Sequence, residues 1–443
     1  MLDQPLNLEE PVQEASGKKR VAIACQGGGS HTAFTAGVLR RLLRSGRLGS
    51  DELVGLSGTS GGAVCALLAW YHLLEDDAAG AAESLEAFWR DNSATAPYEQ
   101  VVNNWLLWAS NLQNFVTTPA VSPYYNPFSE VGLDEFKMML ERRVDFGKIG
   151  VQTGGSYPVL LVGAVDVLSG EFRAFNSRRD RISAETILAS AAIPTLFRSV
   201  RLDGGTYWDG LFSQNPPIKE LTDEEPDEIW VIQINPNEIE EEPKTVAEIA
   251  DRRNELAGNL SLNQELGFIE KIDQMLEGGQ LSRGGKYNQI VVRVIELSRS
   301  RFSRSLGTAS KLNRDPLFIR DLISHGEVRA EEFLVALAFE DAWTSRDPDA
   351  VMGFFADDAT IVVSAPFAGA GRYRGRTQIR TFVAEHLAKE VRLDLTKKQV
   401  AQNGVAWTVS TPAGDGTTNR MGGVAEAEFR GREIQYLRLG AGT

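Results

Sequence analysis

A strand, a glycine-rich turn and a helix follow one another twice near the start of the chain, and this doubled unit constrains the fold more than any other feature. VAIACQ (21–26) is a short apolar, β-branched run that ends in Gly27-Gly28-Gly29. AFTAGVLRRLLRSG (33–46) then places apolar residues at helical spacing and closes on a glycine, a common helix stop. ELVGLSG (52–58) repeats the strand, and GAVCALLAWYHLLE (62–75) repeats the helix. Two such units in succession predict a parallel α/β sheet. Further strands are expected at YPVLLVGAVDV (157–167), IWVIQIN (229–235) and IVVRVIEL (290–297). Helices are expected at SAETILASAAIPTLF (183–197), stopped by Pro194, and over 246–276 and about 316–338.

With 443 residues the chain has room for two or three domains. Its 42% apolar and 24% charged residues suit a globular protein. A net charge of −14 argues against nucleic acid and against broad adhesion to anionic membranes. RSRFSRSLGTASKLNR (299–314) runs against that average and reads as a solvated face, with contact to lipid phosphates as the alternative. The two cysteines, Cys25 and Cys65, sit in apolar surroundings and read as buried reduced thiols, which fits a cytoplasmic protein. Residues 1–20 hold no apolar core of a secretory leader, and the longest apolar stretch, 63–74, falls short of the roughly 20 residues that span a bilayer.

The second glycine turn carries chemistry. Gly58-Thr59-Ser60-Gly61-Gly62 fits G-x-S-x-G between an expected strand and an expected helix. A serine on such a sharp turn is exposed as a nucleophile, and its neighbours Gly58 and Gly62 must be small. The chain's four histidines are His31, His72, His325 and His386. His325 lies late enough to follow Ser60 in a hydrolase order, but in a Ser-His-Gly sequence at a helix end without triad context. A carboxylate base is left, Asp203 or Asp209 of LDGGTYWDGLFSQNPP (202–217). The first glycine turn lacks the spacing of a phosphate loop or dinucleotide fingerprint. Its Gly27, Gly28 and Gly29 amides read as an oxyanion hole beside Ser60.

QGGGSHTAFTAGVL, GTSGGAV, ASAAIPTLF and WDGLFSQNPP stand in this order. Together they make residues 20–327 resemble a patatin-like phospholipase. The resemblance implies a three-layer α/β/α domain with a mostly parallel sheet. It also implies a Ser-Asp dyad without histidine, in which the Asn215-Pro216 spacing selects Asp209 over Asp203. The family loop commonly reads Asp-Gly-Gly-Gly-x-Arg-Gly, whereas this chain has Gln26, His31 and Thr32 at the differing positions. Residues 328–443, with FADDATIVV, GRYRG and GREIQYLRL, resemble a SnoaL-like domain of the NTF2-like superfamily, a small α+β cone.

The expected organisation is therefore a flexible arm (1–19), a hydrolase domain (20–327) and a SnoaL-like domain (328–443) through which the chain forms a homodimer. The aromatic stretch 92–130, with Trp105, Trp108, Phe115, Tyr124 and Tyr125, reads as a substrate lid or a docked helix. The expected activity is hydrolysis of lipid acyl esters, with no metal, no organic cofactor and at most transient membrane contact. Acyl transfer on the same dyad and a non-catalytic ligand-binding or scaffold role are the alternatives.

Overall fold

The computed structural model describes residues 18–113, 122–126, 128–151, 157–194, 196–239, 241–282, 287–297, 302, 306–365, 367, 369–388, 397–401, 404–411 and 421–441. The first half runs β1 (Arg20–Cys25), α1 (Ala33–Leu43), the single turn α2 (Arg47–Ser50), β2 (Glu52–Thr59), α3 (Gly61–Leu73), α4 (Ala78–Asn92), α5 (Pro97–Gln113), α6 (Phe128–Glu141), β3 (Val159–Asp166), β4 (Phe172–Asn176), α7 (Ala184–Ala191), β5 (Val200–Leu202) and β6 (Gly205–Asp209). It continues through β7 (Glu228–Gln233), α8 (Val246–Glu277), β8 (Val291–Glu296) and α9 (Pro316–Thr344). The C-terminal part adds α10 (Pro348–Met352), β9 (Phe355–Val363), β10 (Gly371–Arg374), α11 (Gly375–Ala388), β11 (Lys397–Ala401), β12 (Gly404–Thr411), β13 (Met421–Arg430) and β14 (Glu433–Gly440).

Strands β8, β7, β1, β2 and β3 lie side by side and parallel, as the doubled unit predicts. Alternate residues along them feed two cores. Val21, Ile23 and Cys25 face the side covered by α1, α3 and α9, while Ala22 and Ala24 face the side covered by α8. This double burial is why these strands read as unbroken apolar runs. Local chemistry fixes the helix starts. Ser183 with Thr186 and Thr245 with Glu248 form capping boxes at α7 and α8, and Asp315 caps α9 ahead of Pro316. Helix α7 stops at Ala191, three residues before Pro194. Cys25 and Cys65 are free and buried, and burial pushes the Cys65 thiol up to about 12.

The C-terminal part differs from expectation in how it is joined. The helix expected to end near 338 and the helix expected to open the next domain are one element, α9, which runs unbroken through residues 327 and 328. Helix α9 crosses α1 at glycines: a Cβ on Gly326 would sit 2.1 Å from the Phe34 carbonyl oxygen, and one on Gly37 would sit 2.0 Å from that of Ile323. Strand β11 pairs in parallel with β8, so the antiparallel strands β11 to β14 extend the central sheet.

A buried ion cluster ties the two parts. Arg293 on β8 donates to Glu228 on β7 through Nε and Nη2 (2.5 and 2.7 Å) and to Glu340 on α9 through Nη1 (2.8 Å). Trp407 on β12 donates to the other Glu340 oxygen (2.8 Å), and Lys19 closes on Glu228 (2.9 Å). Burial raises the Glu228 carboxyl, but Arg293 and Lys19 more than reverse this and hold it down to about 2. Removing the guanidinium would leave two buried carboxylates without their shared partner. Arg293→Ala is therefore expected to lower the unfolding free energy by about 3–5 kcal/mol. Denaturant titration at neutral pH checks this, and a loss under about 1 kcal/mol would contradict the cluster's role.

Candidate active site

Strand β2 ends at Thr59, and the chain turns sharply into α3 through Ser60. Ser60 takes φ 56° and ψ −128°, a conformation that costs a non-glycine residue about 1–3 kcal/mol. The turn is held tightly against β1. A Cβ on Gly62 would lie 2.3 Å from the Cys25 carbonyl oxygen, and one on Gly58 would lie 2.5 Å from that of Gly62. Gly61 is just as confined, with Thr32 Oγ1 2.1 Å from where its Cβ would stand, although the sequence pattern alone does not single it out. The Ser60 backbone N–H donates to Ser190 Oγ (2.9 Å), whose hydroxyl donates to the Gly163 carbonyl (2.6 Å). Ser190 belongs to the ASAAIP stretch, and its role in bracing the turn is visible only in three dimensions.

Asp209 reaches this turn through strand register. β2 pairs with β3 over Val159 to Gly163, and β6 pairs with β3 over Ala164 to Asp166. Because β4 covers the other edge of β3, β6 continues the edge that β2 occupies, end to end with it. Asp209, opposite Ala164, lies just beyond Thr59. Its carboxylate is 1% exposed and accepts the Leu211 N–H at 2.8 Å through Oδ1, and the neighbouring Ser60 side chain favours its charged form. Burial pushes its pKa up to about 7, against the pull of the Leu211 N–H, Ser60 and Lys311. Asp203 instead occupies the exposed β5–β6 turn at φ 49°. His325 packs against Phe34 and Phe302.

The first glycine turn lies against the second: a Cβ on Gly27 would come within 3.1 Å of Ser60 Cβ. The three amides are not equivalent. The Gly27 N–H donates to Asn215 Oδ1 (2.7 Å), so it is engaged within the fold. Among the described residues, the Gly28 and Gly29 N–H groups meet no acceptor. Asn215, which served only as a spacing marker in the sequence, thus positions the loop.

The substitutions in this loop have local reasons. Gln26 accepts the Ile234 and Asn235 N–H groups through Oε1 (2.8 and 2.9 Å) and donates to Asn259 Oδ1 through Nε2 (2.8 Å). A carboxylate could accept the first two but not make the third bond. His31 is buried and its Nε2 meets Ser310 Oγ at 2.8 Å. Ser310 and Lys311 come from the basic stretch read as a solvated face. They form part of the wall of the site instead, with the Lys311 carbonyl oxygen 2.3 Å from where a Cβ on Gly29 would stand.

The family model for patatin-like phospholipases matches residues 23–222, and that for SnoaL-like domains matches residues 336–436. The chain carries a patatin-like phospholipase domain followed by a SnoaL-like domain. The match over that domain supports a lipid acyl hydrolase family. No curated protein matches the chain. Solved structures similar to it include an NTF2-like protein of unknown function from Mesorhizobium loti (19% identity, covering 26% of this chain and 92% of that one, TM-score 0.23). Another is a protein with a ketosteroid isomerase-like fold from Catenulispora acidiphila in complex with trimethylamine (25% identity, 24% and 82% covered, TM-score 0.20).

Within the aromatic segment, helix α5 is docked through Asn103. Asn103 of α5 donates to Asn313 Oδ1 (3.2 Å) and accepts the Arg314 N–H (2.8 Å), next to the Lys311 turn. Tyr124 bonds Ser199 (2.9 Å) and is half exposed, while Tyr125 is 85% exposed. The side chains of Trp105 and Trp108, and all of Phe115, lie outside the described residues, so the lid alternative does too. Among the described residues no helix is long and apolar enough to cross a membrane.

An Asp209 that serves as a base would give activity a pH dependence. A base must be unprotonated, so with its carboxyl pushed up to about 7, the competent fraction rises as pH rises through 7. Turnover of a neutral ester, followed as kcat/KM from pH 5 to 9, is expected to climb about tenfold per pH unit below the bend and level off above it. A bend near pH 4 would mean that Asp209 is not held in a dry site.

Proposed function

We propose that this protein is a serine acyl hydrolase acting on acyl esters of lipids. The observation that carries the reading is a serine on a strained strand-to-helix turn, brought by strand register beside a buried carboxylate whose proton affinity burial has raised. Ser60 Oγ attacks the ester carbonyl. Asp209, whose Oδ1 is fixed by the Leu211 N–H, takes the hydroxyl proton on Oδ2. The tetrahedral oxyanion accepts hydrogen bonds from Gly28 and Gly29, whose N–H groups are open, while Gly27 is tied to Asn215 and acts by holding the loop. The proton on Asp209 then passes to the departing alcohol. Water, deprotonated by the same carboxylate, releases the fatty acid from Ser60.

A free Asp at pKa near 3.9 would be a poor base for this step, and the dry pocket narrows the gap by about three units. Ser60→Ala and Asp209→Asn are each expected to lower ester kcat by about a thousandfold or more. Asp203→Asn, on the exposed turn, is expected to stay within about threefold of the parent enzyme. A mixed lipid extract incubated with the pure protein, with released acids identified by mass spectrometry, reports both the activity and the lipid class. Absence of any released acid, or equal losses at Asp203 and Asp209, would overturn the reading.

A further inference from the structure

Thr59, the residue before the nucleophile, is fully buried and stands where the segments of the site converge. It ends β2 and lies opposite Gly163 of β3. Its hydroxyl donates to the Gln214 carbonyl at 2.7 Å. Gln214 follows Asp209 in the same loop and directly precedes Asn215, whose side chain holds the Gly27 N–H. Among the described residues no other group donates to that carbonyl. Three glycines leave room for Thr59. A Cβ on Gly163 would lie 2.6 Å from its Oγ1, one on Gly210 would lie 3.0 Å from its Cγ2, and one on Gly27 would lie 2.5 Å from its carbonyl oxygen.

This position matters because β2 and β6 are not paired with each other. Each is held by β3, β2 as far as Gly163 and β6 from Ala164 onward. Ser190 ties the Ser60 N–H to Gly163, on the β3 side of the junction. The Thr59 hydroxyl makes a direct link across the junction, from the strand that delivers Ser60 to the loop that follows Asp209. Two heavy atoms on its Cβ restrict the rotamer, so the hydroxyl stays on Gln214 while the methyl stays against Gly210. Without the hydroxyl, the Gln214 carbonyl would be buried with no donor, and the loop would have to move to find one.

We propose that Thr59 is a positioning residue, whose hydroxyl sets the placement of Asp209 relative to Ser60 by anchoring the aspartate loop through Gln214. The inference rests on the acyl-hydrolase reading, since that reading gives the two side chains a shared reaction. Thr59 touches neither reacting group through its own side chain. Its effect therefore falls on the chemical step and not on the binding of the ester.

The test uses the full-length protein, p-nitrophenyl butyrate as the ester and a fluorophosphonate that labels Ser60, at one pH above the Asp209 bend. Thr59→Val keeps the shape and removes the donor, while Thr59→Ser keeps the donor and removes the methyl. Thr59→Val is expected to lower kcat about tenfold to a hundredfold with KM within about twofold of the parent value. Thr59→Ser is expected to stay within about threefold in kcat. The labelling rate of Thr59→Val should fall, while labelling still runs to completion. A purely structural role would do the reverse, lowering the labelled fraction and leaving the rate of the folded remainder unchanged, and would overturn the proposal. Equal kcat losses in Thr59→Val and Thr59→Ser, or a loss confined to KM, would overturn it too. Should Thr59→Val not fold, Thr59→Ala, equally without the donor, is held to the same outcomes. Failure of both to fold beside an active Thr59→Ser would make the hydroxyl a folding requirement and overturn the positioning role. An active parent enzyme with a Thr59→Val variant of equal kcat sinks this inference alone. A parent protein that neither turns over the ester nor is labelled at Ser60 sinks the acyl-hydrolase reading and this inference with it.

Discussion

One edge of strand β3 brings the serine turn and the buried aspartate together. That edge is shared end to end by β2, which arrives in parallel and ends at Thr59, and by β6, which arrives antiparallel and ends at Asp209. Two strands that meet head to head on one edge bring their last residues together whatever the distance between them along the chain. Ser60 and Asp209, 149 positions apart in number, become neighbours in this way. The price is a backbone conformation at Ser60 that serine rarely adopts, tolerated because Ser190, Gly58 and Gly62 leave the turn no alternative.

Around that junction two amide side chains hold the loops. Asn215 holds Gly27, and Gln26 holds Ile234, Asn235 and Asn259. An amide can accept and donate at once, so it can bridge backbone groups in a buried region without bringing a charge into it. Asp209 is itself buried beside this region, and that burial is what raises its proton affinity. One cluster of buried charges lies away from this junction. Arg293, Glu228 and Glu340 sit between the parallel sheet and α9, where each finds an opposite partner. The SnoaL-like domain is attached through this cluster, through the unbroken α9 and through the β8–β11 pairing.

The strands of the α/β part and the glycine turns were legible because periodicity and turn chemistry are local. Boundaries from VAIACQ to IVVRVIEL fall within one or two residues of β1, β2, β3, β7 and β8. The pairing of the G-x-S-x-G turn with an aspartate was legible as far as two choices, Asp203 and Asp209, and only the family spacing chose between them. Three things were not legible. The inequality of the Gly27, Gly28 and Gly29 amides depends on Asn215, far away in sequence. The basic stretch 299–314 carries no sign that Ser310 and Lys311 pack on the glycine loop. The continuity of α9 was hidden because residues 328–338 look equally apolar whether they end one domain or begin another.

The sequence by itself determined the two fold classes, the sharp serine turn and the residue types available for acyl chemistry, because each of these is written in a few consecutive residues and their backbone preferences. The tertiary structure alone decided which carboxylate is buried, which amides stay open and where the Lys311 charge falls. Those properties depend on which groups burial brings within a few ångströms, and that is set by strand register and helix packing between segments more than a hundred residues apart.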